Sequence, residues 1–169
     1  AALTVSTDAS LSINGSTLDA LVLDFDAMLT NNGIINIGSS SAIGRHAIAM
    51  SSSSTLINQA SSTININNVT EVAFAMNLLA EVTNAGTINI GSTAAVNGAG
   101  FAMDNESALT NQSTGLIQIN NILSGDGFYM QLSDVINSGT VNIGNIHPIL
   151  NRGISMELNS QFSNSSTAT

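Results

Sequence analysis

A triplet made of a large apolar residue, a small or β-branched residue and Asn recurs six times along the chain. The copies are Leu29-Thr30-Asn31, Leu56-Ile57-Asn58, Val82-Thr83-Asn84, Leu109-Thr110-Asn111, Val135-Ile136-Asn137 and Phe162-Ser163-Asn164. The asparagines stand 27, 26, 27, 26 and 27 residues apart. A degenerate seventh copy, Leu3-Thr4-Val5, carries Val in the Asn slot. A fixed period of this length marks an architecture in which each unit covers its neighbour, because no single unit can bury its own apolar face.

Two more registers keep the same step. One reads small-apolar-x-Met: Ala47-Ile48-Ala49-Met50, Ala73-Phe74-Ala75-Met76, Gly100-Phe101-Ala102-Met103, Gly127-Phe128-Tyr129-Met130 and Gly153-Ile154-Ser155-Met156. Ala20-Leu21-Val22-Leu23 is its earliest form. The other is an apolar pair around one polar residue: Leu11/Ile13, Ile35/Ile37, Ile64/Ile66, Ile88/Ile90, Ile117/Ile119 and Val141/Ile143. From the Asn slot to the first residue of each pair the offsets alternate 6, 4, 6, 4, 6, 4, with Val5 as the first slot. The period is therefore double: Asn31 to Asn84 and Asn84 to Asn137 are each 53 residues. Short-offset rungs carry Asn-x-Gly and end their apolar pair in Gly38, Gly91 or Gly144. Long-offset rungs read Asn-Gln and place Asn67 or Asn120 there instead.

Each register alternates apolar with polar or small residues, the period-2 signature of a half-buried strand. Gly, Asn and Ser clusters between registers supply turns. Three short strands per repeat of 26–27 residues, stacked in about six rungs, predict an all-β right-handed parallel β-helix occupying residues 1–169 as one domain. Hexapeptide solenoids have shorter rungs, of about 18 residues, which favours the right-handed form. In this reading Ile-x-Ile, apolar-x-Met and one Leu or Val per rung stack as ladders about 4.8 Å apart. The repeated asparagines Asn31, Asn58, Asn84, Asn111, Asn137 and Asn164 are expected at turns, where Asn tolerates left-handed backbone, and to bond one another as an amide ladder.

Charge excludes several functions. Charged residues make up 8 % of the chain, Lys is absent, Arg45 and Arg152 are the only Lys or Arg, and the net charge is −9, so a phosphate backbone would be repelled. No Cys is present for a disulfide or thiolate site. No apolar run approaches the roughly 20 residues of a membrane helix, so insertion of the chain itself into a membrane is not expected. Carbohydrate-cleaving β-helices need clustered carboxylates beside a cation. Here the acidic residues fall one or two per rung and the two arginines about four rungs apart. No catalytic residue, cofactor or metal site is predicted. Asp24 with Asp26, and Asp104 with Glu106, supply too few oxygens for Ca²⁺ and read as solvated charges. His46 and His147 read as separate surface histidines.

A candidate binding surface remains. The residues outside the third register are Ile34, Thr63, Thr87, Leu116 and Thr140, flanked by Asn36, Asn65, Asn89, Gln118 and Asn142. The three threonines are interrupted by bulky aliphatics, a poor template for ice. The amide column is an extended, uncharged, hydrogen-bonding face suited to a sugar or another rod.

The rungs NNGIINIG, NAGTINIG and NSGTVNIG, each followed by Gly/Ala-apolar-x-Met, resemble passenger repeats of Gram-negative type V autotransporters and filamentous haemagglutinin-like adhesins. The likeness runs from Leu3 to Asn164. It implies secretion, display at the outer-membrane surface, and adhesion or self-association, with the chain a piece of a longer passenger. Partners would be other copies, or a cell-surface glycan or protein. The alternatives are a carbohydrate-binding or carbohydrate-cleaving β-helix of lyase or tailspike type, and a plain spacer stalk. Neither Ala1–Ser10 nor Gln161–Thr169 reads as an amphipathic capping helix, so the chain is expected either to be cut from a longer rod or to stack through its ends.

Overall fold

The computed structural model describes residues 1–166 and 168–169. Every strand is parallel to its neighbours, no helix forms among the described residues, and the chain winds as a β-solenoid of about six turns with three strands per turn. The three sequence registers become three sheets. An Asn sheet stacks Ala2–Val5, Met28–Asn31, Thr55–Asn58, Glu81–Asn84, Ala108–Asn111, Asp134–Asn137 and Gln161–Asn164. An Ile sheet stacks Ser10–Ile13, Ile34–Ile37, Thr63–Ile66, Thr87–Ile90, Leu116–Ile119 and Thr140–Ile143. A Met sheet stacks Leu21–Leu23, Ile48–Met50, Phe74–Met76, Phe101–Asp104, Phe128–Gln131 and Ile154–Glu157.

Pairing is in register, so like meets like: Ile64, Ile88 and Ile117 align, as do Met76, Met103 and Met130. Alternation then sends one set of each strand inward, and the central rungs bury these residues completely. Phe74, Phe101 and Phe128 stack face to face through the middle of the rod, with centroids 4.7 and 4.9 Å apart. Phe25, by contrast, stands 77 % exposed at the corner leaving the Met sheet. Asp24 and Asp26 flank it in that corner; Phe25 and Asp26 have φ of 50° and 57°.

The asparagine column differs from the expected turn. Asn31, Asn58, Asn84, Asn111 and Asn137 are the last residues of their strands, point inward and are fully buried; none has positive φ. Their side chains form a continuous ladder. Each Nδ2 donates to the next Oδ1, at 2.8, 2.7, 2.8, 2.8 and 3.0 Å from Asn31 up to Asn164. Remaining donor capacity goes to carbonyls of the adjoining corner, such as Thr63 and Thr87. Left-handed backbone falls instead on Asn68, Asn105, Asn121 and Asn159. An inward amide is tolerated because every rung supplies its neighbour's partner.

The corner between Ile and Met sheets explains the doubled period. It holds a fourth inward column, Ile43, Val69, Val96, Ile122 and Ile149, joined by single parallel bridges. In the rungs carrying Gly38, Gly91 and Gly144 this corner is longer, and the extra backbone N–H groups need acceptors. Asn67 Oδ1 of the rung below accepts from Thr93 (2.9 Å) and Ala94 (3.3 Å). Asn120 does the same for Ile146 and His147, and Asn14 for Ser40. On the other side, Gly91 has φ of +68° and lies so close beneath the Asn120 carbonyl that a Cβ would collide with it. A long corner therefore fits only between two short ones.

Gly91→Ala should cost about 2–5 kcal/mol, combining left-handed strain of about 1–2 with overpacking of about 1–3. Urea unfolding checks it. A loss below about 1 kcal/mol would show that the rungs part easily.

Candidate functional site

The outward face of the Ile sheet carries the residues read as a binding surface. Thr63 and Thr87 pair directly, and Leu116 separates them from Thr140. On the other side the row continues through Ile34, 45 % exposed, to Ser10. Beside them Asn36, Asn65, Asn89, Gln118 and Asn142 rise as one column, half-buried by their neighbours. Asn65 donates to Asn36 and Asn89 to Asn65, both at 2.9 Å. Much of the amide capacity is thus used within the face, which stays flat and uncharged.

The outward face of the Met sheet holds a trough the motif did not reveal. The x of apolar-x-Met is Val22, Ala49, Ala75, Ala102, Tyr129 and Ser155, aligned rung upon rung. Small side chains at Ala49, Ala75 and Ala102 leave the face low between its two corners, and Tyr129 follows at the next rung. The hollow measures about 390 Å³. Ser51, Asn77 and Asp104 line one wall; Asp19, Arg45, His46 and Val72 line the other.

Electrostatics differ between the walls. Arg45 bridges two carboxylates, 3.4 Å from Asp19 and 3.6 Å from Glu71. Asp19 also accepts the His46 backbone N–H, and His46 Nε2 lies 3.7 Å from Glu71. The His46 side chain is only 15 % exposed, and its buried Nδ1 has no hydrogen-bond partner. It is therefore not the surface histidine that its sequence context suggests: the turn leading into the Ile48–Met50 strand leaves the side chain largely covered. Burial lowers its pKa below 6.5, Asp19 and Glu71 oppose that shift, and Arg45 adds to it. On the opposite wall Asp104 makes neither a side-chain hydrogen bond nor an ion pair among the described residues. Burial, then the charge of Glu157, raise its pKa above 3.8. Asp24 is held below the usual range, chiefly by the Ser51 hydroxyl at 2.6 Å.

The His46 shift sets a pH dependence. An unfolded chain binds the proton first as pH falls, so the contribution to stability is present above about pH 6.5 and declines as pH drops through the folded pKa. Denaturant midpoints between about pH 7.5 and about pH 5 should fall more for the wild type than for His46→Gln. Parallel profiles would show that the ring titrates freely.

Asp126 and Arg152 repeat the Asp19 arrangement four rungs away: Asp126 accepts the Arg152 N–H at 3.0 Å, and the guanidinium lies 3.9 Å from its carboxylate. The two arginines do not meet. No group of three His, Cys, Asp or Glu placed to hold a metal ion occurs among the described residues. Comparison of the chain with protein-family models, curated proteins and solved structures finds no match.

Proposed function

We propose that the chain is a non-catalytic segment of a bacterial cell-surface fibre that acts in adhesion or self-association. The observation carrying this reading is the Ile-sheet face, where an amide side chain returns at five successive rungs beside Thr63, Thr87 and Thr140 in a flat, uncharged array. One such contact is weak, but a partner with its own repeat engages many at once, and linked weak contacts multiply. Another rod of the same kind has that repeat. The likeness of NAGTINIG and its copies to autotransporter passenger repeats supports display outside the cell.

Sedimentation across a concentration series tests the self-association arm, and a screen against glycans and surface proteins tests adhesion. Wild-type rods should assemble as concentration rises, and Thr87→Arg, which raises a long charged side chain from the flat face, should keep them monomeric. Assembly indifferent to Thr87→Arg would remove the Ile-sheet face from the reading. A monomer that captures nothing would leave a spacer stalk and sink the proposal.

A further inference from the structure

We propose that the Met-sheet trough binds a short run of an uncharged polysaccharide lying along the rod axis. The inference rests on the adhesion arm of the reading above and names the ligand class and its place, on a different face from the one used for rod–rod contact.

Shape comes first. Val22, Ala49, Ala75 and Ala102 make a floor that climbs the rod in steps of about 4.8 Å. A sugar ring in an extended chain advances by nearly the same step, so successive rings meet equivalent surroundings. The volume, about 390 Å³, lies at the low end of small-ligand sites, room for a short oligomer and not for a folded domain.

The surface chemistry matches that occupant. Alanine and valine side chains offer an apolar floor to the C–H faces of the rings. Ser51, Asn77 and Asp104 occur at successive rungs on one wall, so hydroxyl-binding groups repeat at the same step. Tyr129 follows Ala102 in the floor column, and its hydroxyl donates to Glu157 at 3.4 Å. An aromatic side chain at the end of such a floor offers a terminal ring a stacking surface.

Charge narrows the choice. A polyanion would meet Asp19, Asp104 and neighbouring Glu71 with one guanidinium already shared between two of them. A cation would find Asp19 and Glu71 committed to Arg45 and Asp24 to Ser51. Asp104 alone is open, where burial disfavours its charge. A neutral hydroxyl suits it, because it donates to the carboxylate and accepts from it when protonated. An extended peptide is matched less well. Peptides dock on sheets by adding to a free strand edge, whereas the floor is the face of the sheet, whose free edges lie only at its terminal strands Leu21–Leu23 and Ile154–Glu157.

Amide-resolved NMR titration of the whole chain tests this, with a panel of neutral linear tetrasaccharides, tetragalacturonate, and an uncharged extended peptide as ligands. At least one neutral tetrasaccharide should shift the amides of Ala49, Ala75 and Ala102. Ala75→Phe, which fills the trough, and Asp104→Ala should each weaken it by about tenfold or more. Both positions face outward, and an unchanged thermal midpoint would show that the rod is intact. Tetragalacturonate should bind about tenfold more weakly than the best neutral sugar. Absence of any neutral binder, binding indifferent to Ala75→Phe, or preference for the peptide or the polyanion would overturn the proposal. Concentration-dependent assembly would be untouched by any of these results, so failure of the trough and failure of the fibre reading stay separable.

Discussion

Asn84→Asp should lose about 3–5 kcal/mol of stability at neutral pH, the scale of an uncompensated buried charge. Asn84 is fully buried, accepts from Asn58 at 2.7 Å and donates to Asn111 at 2.8 Å. The substitution keeps the acceptor and removes the donor, so the introduced carboxylate faces the Asn111 oxygen at bonding distance, out of water. Its pKa in the fold must rise, so the folded state holds a proton that the unfolded chain has released. Stability is therefore retained below the ordinary carboxylate range near 3.9 and lost as pH climbs through the folded pKa. Urea midpoints at about pH 7 and about pH 4 measure the difference, with part of the loss returning in acid. Asn84→Ala costs about 1–3 kcal/mol for each group left unpaired, Asn111 Oδ1 and the one Asn58 Nδ2–H that does not bond Thr87, and does not recover with acid. Outward Thr83→Ala should stay within about 0.5 kcal/mol. If the Asn84→Asp loss were no larger at neutral pH than in acid, the ladder would have to be wet.

Phe101→Ala is expected to cost about 3–5 kcal/mol. The ring is wholly buried between Phe74 and Phe128, nearly parallel to both, at interplanar angles of 11° and 7°. In-register pairing forces this stack, since Phe74, Phe101 and Phe128 occupy one ladder position. Rungs above and below are fixed by three ladders of backbone hydrogen bonds, so the cavity cannot close by sliding one aromatic onto the next. Phe101→Leu fills most of the volume and should cost less than about 1.5 kcal/mol. Thermal or urea unfolding of the two variants gives the comparison; near-equal values would mean that the rungs shift to close the gap.

The architecture was readable because stacking makes each ladder repeat in the sequence. Ile88 and Ile90 inward with Thr87 and Asn89 outward is a statement about period 2, and the structure has that pattern. Periodicity also placed Asn84 in a column, yet could not say which way it points. Residue type suggested a turn, but in-register stacking supplies each amide with the partner that burial demands, and that supply overrides the turn preference. The column Ile43, Val69, Val96, Ile122 and Ile149 escaped notice for a different reason. Each member sits in an irregular corner, without an alternating partner, although its 26- and 27-residue spacing is present in the chain.

The trough was legible in the same passive sense. Ala49, Ala75 and Ala102 stand in the quoted motif, but a small residue announces only an absence of volume. Its meaning depends on what rises at the corners beside it. Ser51, Asn77 and Asp104 lie just beyond the motif, whereas Arg45 and His46 reach the opposite wall from the turn preceding it. The exposed corner defeats sequence reading altogether: Leu78 and Leu79 adopt φ of 49° and 63°, a backbone that leucine avoids.

The two amide rows also run in opposite senses. Inside, each asparagine donates toward the later rung, from Asn31 to Asn58 and onward. Outside, the direction reverses: Asn89 donates to Asn65, and Asn65 to Asn36. Aligned amide dipoles sum head to tail, as peptide dipoles do in a helix, and each polarises the next. A single row would give the rod a positive and a negative pole whose moment grew with every rung added. From Asn36 to Asn89, where both rows are bonded, their moments oppose and little axial field builds. Above Asn89 the inner row alone is bonded among the described residues, and its moment grows with each rung.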